Sequence, residues 1–489
     1  MTQPVKISVA NTETDKIAGH QGRIALIVAP GGRLPSGLPR STREAVNRAL
    51  DSKAGKALKA GGTLELAFPA GLSAELLMLV ALPQNATVAE ARKAGAAIGA
   101  RLGTSDMLVL AGAHKRADQI ALGLMLRNYE FGLYQTKADD ADKGVARVTF
   151  MVKDAATMAP LVADAAAIAE GVFFTRNLVN EPSNVLTTTE FAKRLKDLGD
   201  LGVKVEVLEE KELEKLGMRS LLAVGQGSES PSKVVVMQWD GGKDEPPLAL
   251  VGKGVVFDSG GISIKPGAGM EEMTMDMGGA GVVAGVMRTL ALRKAKANVV
   301  GLVGLVENMP DGRAQRPGDI VKSMKGDMIE VINTDAEGRM VLADVLWYAQ
   351  TRFDPKAIID LATLTGAVIV ALGHENAGVF SNDDALADNL LAAAKAENEG
   401  AWRLPLGNGY DRLIKSRLAD VKNSGGRPAG SITAAKFLER FIRDDQPWVH
   451  LDIAGVTLPP VATDLAPKGA TGWGVMTLDR LIRNQYEAG

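Results

Sequence analysis

The sequence predicts an α/β protein of two domains, a smaller N-terminal α/β domain and a larger C-terminal domain with a mixed sheet flanked by helices. Three observations carry this. At 489 residues the chain is too long for one ordinary hydrophobic core. Strand-like apolar runs alternate with helical patterns along both halves, which is the order of α/β folds. In the second half the Val, Ile and Leu runs are nearly continuous, as strands covered on both faces require.

In chain order, "RIALIVA" from Arg23, "DMLVLAG" from Asp106 and "VARVTFMV" from Val145 read as strands, and "TVAEARKAGAAIGARLG" from Thr87 reads as a helix. An alanine-rich helical stretch follows from about Ala155 to Leu178. It stops at "NEPSN", because Pro182 disfavours helix in the residue before it. Residues 1–165 form the first expected domain, 166–184 a linking helix and turn, and 185–489 the second domain. Thr187 and Glu190 have capping-box spacing for a new helix. Beyond it "VKVEVLEE", "SKVVVMQW", "LALVGKGVVF", "ANVVGLVGLV", "KAIIDLATLT" and "WVHLDIAGV" read as strands, with helical stretches between several of them.

Composition excludes several functions. Hydrophobic residues at 46% and charged residues at 23% are globular proportions. A net charge of -2 gives no global pull toward nucleic acid or anionic membrane. The opening "MTQPVKISVANTETDK" lacks the apolar core of a signal peptide, and runs such as "AELLMLVAL" are too short to span a bilayer, so a soluble cytoplasmic protein is expected. With no cysteine there can be no disulfide, thiolate metal site or cysteine nucleophile. The four histidines, His20, His114, His374 and His450, are scattered singly, which argues against a histidine-rich zinc site. No G-x-S-x-G elbow, phosphate loop or dinucleotide fingerprint is present.

Two stretches carry charge where charge is costly. "VGKGVVFDSGGISIKP" (251–266) sets Lys253, Asp258 and Lys265 among apolar residues and glycines, and "NTDAEGRM" (333–340) sets Asp335, Glu337 and Arg339 within five positions. Charges in such company pair with each other or bind metal. In extended chain Asp335 and Glu337 would address one point, and with Asp258 and Asp276 of "EEMTMDMGGA" they make four acids whose repulsion two divalent ions would relieve. Oxygen-rich ligands suit zinc, manganese or magnesium. Lys253 can ligate only as the neutral amine. An extended run from Lys253 to Asp258 spans about 16 Å, so a bend is expected between them, with Gly254 a plausible place for it. Taken singly, each of these residues also has an ordinary reading, as a cap, a surface acid or a turn residue.

"VGKGVVFDSGGISIKP", "MDMGGA" and "NTDAEGRM" follow one another with the spacing of the cytosolic leucyl aminopeptidase family, which this sequence resembles, and "NLVNEPSN" resembles that family's interdomain segment. Met340 replaces the family's usual leucine. The resemblance implies a metal-dependent aminopeptidase that releases leucine and similar apolar residues from the amino ends of peptides. Lys253, Asp258, Asp276, Asp335 and Glu337 would hold two divalent ions, manganese or zinc, with Asp258 and Glu337 bridging them. Lys265 would be catalytic, stabilising the developing oxyanion, and Arg339 would hold a bicarbonate. Paired metals acidify a water and polarise a carbonyl. Met273 and Ala454 are candidates for the pocket of the substrate's first side chain. A homohexamer in the cytoplasm is implied. Two alternatives remain: a dinuclear hydrolase of another ester or amide, and a DNA-binding regulator, since some relatives bind DNA. Net charge does not favour the second.

Overall fold

The computed structural model describes residues 2–29, 32, 34–35, 37–136 and 146–487. It divides into two compact units, Met1–Phe173 with Val461–Lys468, and Phe174–Pro460 with Gly469–Gly489. The change from one to the other falls inside helix α1 (Ala155–Val179). By length and composition this helix could cross a membrane, yet half of its most apolar stretch is buried in the protein, the pattern of a core helix.

The first unit is built on a six-stranded sheet of β1 (Ile7–Asn11), β2 (Arg23–Val28), β3 (Thr63–Ala67), β4 (Leu76–Ala81), β5 (Met107–Gly112) and β6 (Val148–Val152), in the order β1-β6-β5-β2-β4-β3. Only β3 runs antiparallel to its neighbour. Val145, the expected start of β6, lies outside the described residues. Alternating Ile24, Leu26, Leu77, Leu79, Leu108 and Leu110 bury one face of this sheet in a common cluster.

The second unit holds an eight-stranded mixed sheet of β7 (Lys204–Leu208), β8 (Lys233–Asp240), β9 (Leu248–Asp258), β10 (Asn298–Asn308), β13 (Ala357–Ala362), β14 (Ala377–Ser381), β15 (Ala401–Arg403) and β17 (Trp448–Asp452). A small three-stranded sheet joins β11 (Ile320–Lys322), β12 (Met328–Glu330) and β16 (Val421–Lys422). The large sheet runs β15-β14-β17-β13-β9-β10-β8-β7, and its central four strands, β17-β13-β9-β10, are parallel. Their residues are buried almost without interruption, because helices α2 (Gly278–Arg293) and α3 (Gly338–Phe353) pack on the sheet. From β9 the chain moves to β10 on one side, whereas β13 lies on the other. Groups at the carboxyl ends of these strands therefore converge where the strand order reverses. Met340 is fully buried in the core on α3.

The expected bend at Gly254 does not occur. Gly254 stays in β9, opposite Leu305 of β10, and the irregularity comes later, as a bulge that pairs Val255 with Val306 but Asp258 with Asn308. Thr187 does cap the next helix, accepting the Glu190 amide.

Candidate metal centre

The ends of β9, β10 and β13 and the segments that lead into α2 and α3 build the site, Asp276 lying just before α2. Lys253 projects from the middle of β9 and Asp258 ends that strand, each only 2% exposed. The bulge lets the chain turn at once into Ser259–Lys265. Gly260, at φ +86°, takes a conformation that side chains resist, and a Cβ there would lie 2.5 Å from Ser263 O. Lys265 N then donates back to Ser259 O, which returns the lysine to the strand end.

Asp335 and Glu337 do not lie on extended chain, as the sequence suggested. They occupy a turn that leads into α3, where Asn333 Oδ1 accepts the Asp335 amide and Glu337 sits at the helix start in helical conformation. The turn is stitched to its neighbours. Thr334 Oγ1 donates to Gly260 O and accepts from Ser263 N. Asn423, fully buried beyond β16, accepts the Ile332 and Asn333 amides and donates to Asn333 O and Ala336 O.

The four acids bracket two ammonium groups. Lys253 Nζ lies 2.7 Å from Asp276 Oδ1 and 2.8 Å from Glu337 Oε1, and donates to Thr363 O at 2.9 Å. Lys265 Nζ lies 2.8 Å from Asp258 Oδ2 and also pairs with Asp335 Oδ1. Glu337 Oε1 and Asp335 Oδ1 meet these lysines at ion-pair distance but without hydrogen-bond alignment. Asp258 is oriented by Gly260 N and Asn308 Nδ2, both donating to Oδ1, so that Oδ2 faces inward. Lys253 and Asp258 thus join the same cluster through Glu337, and the reach of the lysine side chain does what a backbone bend was expected to do.

Electrostatics follow from this crowding. Burial works to lower the Lys253 amine, but Asp276, Glu337 and Asp258 outweigh it and hold it above the ordinary lysine range. Lys265 is raised in the same way, against burial, by Asp258, Glu337 and Asp335. Burial and then the Glu337 charge push Asp258 up to about 6. Glu337 itself is drawn down despite burial by the two lysines. Burial lowers Arg339 to about 10, with Glu337 and Asp452 opposing.

Divalent ions suit this donor set. Asp258, Asp335 and Glu337 each offer an oxygen within 4.8 Å of the others. Asp276 Oδ2 is buried with no hydrogen-bond partner among the described residues. No histidine lines the adjoining cleft, which has a volume of about 350 Å³ and contains Met273, Thr363, Gly366, Ile369 and Ala454 beside the charged residues. Arg339 is not among the lining residues; its Nη1 donates to Asn423 O, while its Nε has no partner among the described residues.

Residues 173–479 match the catalytic domain of the cytosol aminopeptidase family. The chain belongs to the cytosol aminopeptidase family. Over its whole length it is 62% identical to a probable cytosol aminopeptidase of Dinoroseobacter shibae and 61% identical to one of Cereibacter sphaeroides, each covered completely. Among solved structures it is similar to the bottromycin maturation enzyme BotP in complex with Mn, at 33% identity and a TM-score of 0.83 over 94% of this chain and 99% of that one. Like other cytosol aminopeptidases, this chain is a metal-dependent aminopeptidase and acts on peptides.

Asn308, Thr363 and Asn423 were not singled out from the sequence. Thr363 Oγ1 donates to Asp276 Oδ1 at 2.8 Å and its carbonyl receives Lys253, so a threonine at the end of β13 positions both.

Proposed function

We propose that this aminopeptidase uses two divalent ions to release leucine and similar apolar residues from the amino ends of peptides. The observation that carries the reading is the pair of cation positions, each flanked by two carboxylates, beside a cleft with an apolar wall. Lys253, Asp258, Asp276, Asp335 and Glu337 would hold the ions. When bound, the ions supply Lewis-acid polarisation of the scissile carbonyl and acidify a water.

The chain's own groups do the rest. Lys253 would hold an ion only as the neutral amine, the form its acidic neighbours disfavour until a cation offsets their charge. Lys265, with a side chain 20% exposed against 3% for Lys253, presents a fixed positive charge to the oxyanion that develops on the carbonyl oxygen. Arg339 would offer a bicarbonate its Nε–H, which has no partner among the described residues, while Asn423 O accepts from its Nη1. Met273 and Ala454, both on the cleft, receive the first side chain of the substrate, and an apolar pocket of this kind gives preference with breadth. Manganese or zinc suits the carboxylates. A cytoplasmic homohexamer completes the proposal.

The deciding experiment reconstitutes the purified protein with manganese or zinc, counts bound metal, and measures hydrolysis of leucine, alanine and glutamate p-nitroanilides. Two ions per chain and fastest turnover of the leucine substrate are expected. One ion at saturation, or no preference among the three, overturns the reading.

A further inference from the structure

Part of the wall of the cleft is held by one carboxylate that does not itself line it. Asp452 ends β17 and is 1% exposed. Its Oδ1 accepts Leu364 N at 3.1 Å, Thr365 N at 3.4 Å and Ala454 N at 3.3 Å, and its Oδ2 accepts Thr365 Oγ1 at 2.6 Å. Thr365 Oγ1 in turn accepts Val368 N and so caps helix α4 (Gly366–Leu372). Leu364, Thr365, Gly366, Ile369 and Ala454 all line the cleft, while Asp452 does not.

We infer that Asp452 is a positioning residue for substrate selection: it joins the turn after β13 to the start of α5 (Ala454–Thr457) and so fixes the distance across the side-chain pocket. The inference rests on the pocket assigned under the proposed function. Two segments about 90 residues apart in sequence would otherwise present the buried amides of Thr365 and Ala454 and the half-buried amide of Leu364 without this acceptor, and a buried amide left unpaired forces local rearrangement. Selection among apolar side chains depends on the fit of each methylene, so a wall free to shift loses discrimination before it loses chemistry. Neither the acids nor the lysines of the metal centre hydrogen-bond to Asp452; its charge does reach Arg339, an effect common to both substrates that cancels in the ratio of the two.

The test compares the wild type with Asp452→Asn and Asp452→Ala. Asp452→Asn keeps an oxygen for the amides and loses the acceptor for Thr365 Oγ1. The ratio of kcat/KM for leucine p-nitroanilide over alanine p-nitroanilide should fall about fivefold in Asp452→Asn, the worth of one net hydrogen bond, and more than about tenfold in Asp452→Ala. Metal content should match the wild type, and hydrogen exchange should quicken at Leu364, Thr365 and Ala454 in Asp452→Ala. An unchanged ratio in both variants overturns the inference, as does loss of metal in step with activity. Unchanged exchange overturns it too, and that measurement needs no turnover. A wild type that cleaves neither anilide refutes the pocket reading, and exchange alone then decides the role of Asp452.

Discussion

Gly338 gives Lys253 its place. A Cβ on residue 338 would lie 2.5 Å from Lys253 Cε and 2.8 Å from Nζ, so the glycine after Glu337 is the room through which the lysine reaches the acids. Overpacking of a buried site typically costs about 1 to 3 kcal/mol. Gly338→Ala should therefore displace Lys253, lower thermal stability and reduce metal content together. Calorimetry and metal analysis on the variant check this, and a fully loaded Gly338→Ala protein of wild-type stability would refute it.

Ligands and catalysts should fail differently. Glu337→Gln removes one negative charge from between two lysines and should lose metal and activity together. Lys265→Ala should keep its metals and lose about 10²- to 10³-fold in kcat, the usual cost of one oxyanion donor. Metal content measured beside leucine p-nitroanilide kinetics separates them. If Lys265→Ala loses its metals as Glu337→Gln does, Lys265 belongs to the ligand shell.

Asn308 orients Asp258 through a 2.8 Å hydrogen bond and also donates to Thr334 O. Partners of ligating carboxylates are worth about 10- to 100-fold in metal affinity. Asn308→Ala should weaken metal binding by that order while leaving the fold intact, as read by metal-buffer titration and circular dichroism.

A pH effect on stability arises away from the site. Glu399 receives Gly474 N, Thr477 N and Thr477 Oγ1 at the start of helix α6 (Val475–Gln485), and burial pushes its carboxyl up to about 7 from an ordinary 4.5, against these hydrogen bonds. Between those two values the folded chain holds a proton that the unfolded chain releases. This group's contribution to stability therefore falls as pH rises through the window and levels off above it. Urea unfolding from pH 4.5 to 8 should show a shallower decline in Glu399→Gln than in the wild type. Parallel curves would assign the dependence to other groups.

The absence of cysteine yields a simple control. Thiol reagents should leave activity intact, whereas exhaustive chelation should abolish it. Activity that persists after verified removal of metal would end the metal mechanism.

The sequence disclosed those parts whose cause is local. β8, β9, β10, β13 and β17 were legible because strands covered on both faces must be apolar throughout, and α1 because its helical run ends at Pro182. The short β11, β12, β15 and β16 carry too few residues for a pattern to show. Asp258, Asp276, Asp335 and Glu337 stood out as acids among apolar and glycine residues. Asn308, Asn423 and Asp452 did not, because their importance lies in which distant backbone groups they meet. The backbone between Lys253 and Asp258 was misjudged because strand spacing was reckoned without the length of a lysine side chain.

The parallel centre of the large sheet also bears on how the chain reaches its native state. Asp258, Asn308, Thr363 and Asp452 come from four strand ends spread over nearly two hundred residues, and none is brought to the others by a hairpin. Such pairings are slow, because each closes a long loop before any contact rewards it. On dilution from denaturant, helical signal should return first and turnover last, since three of the four strands side by side still leave either the metal centre or the cleft wall unfinished.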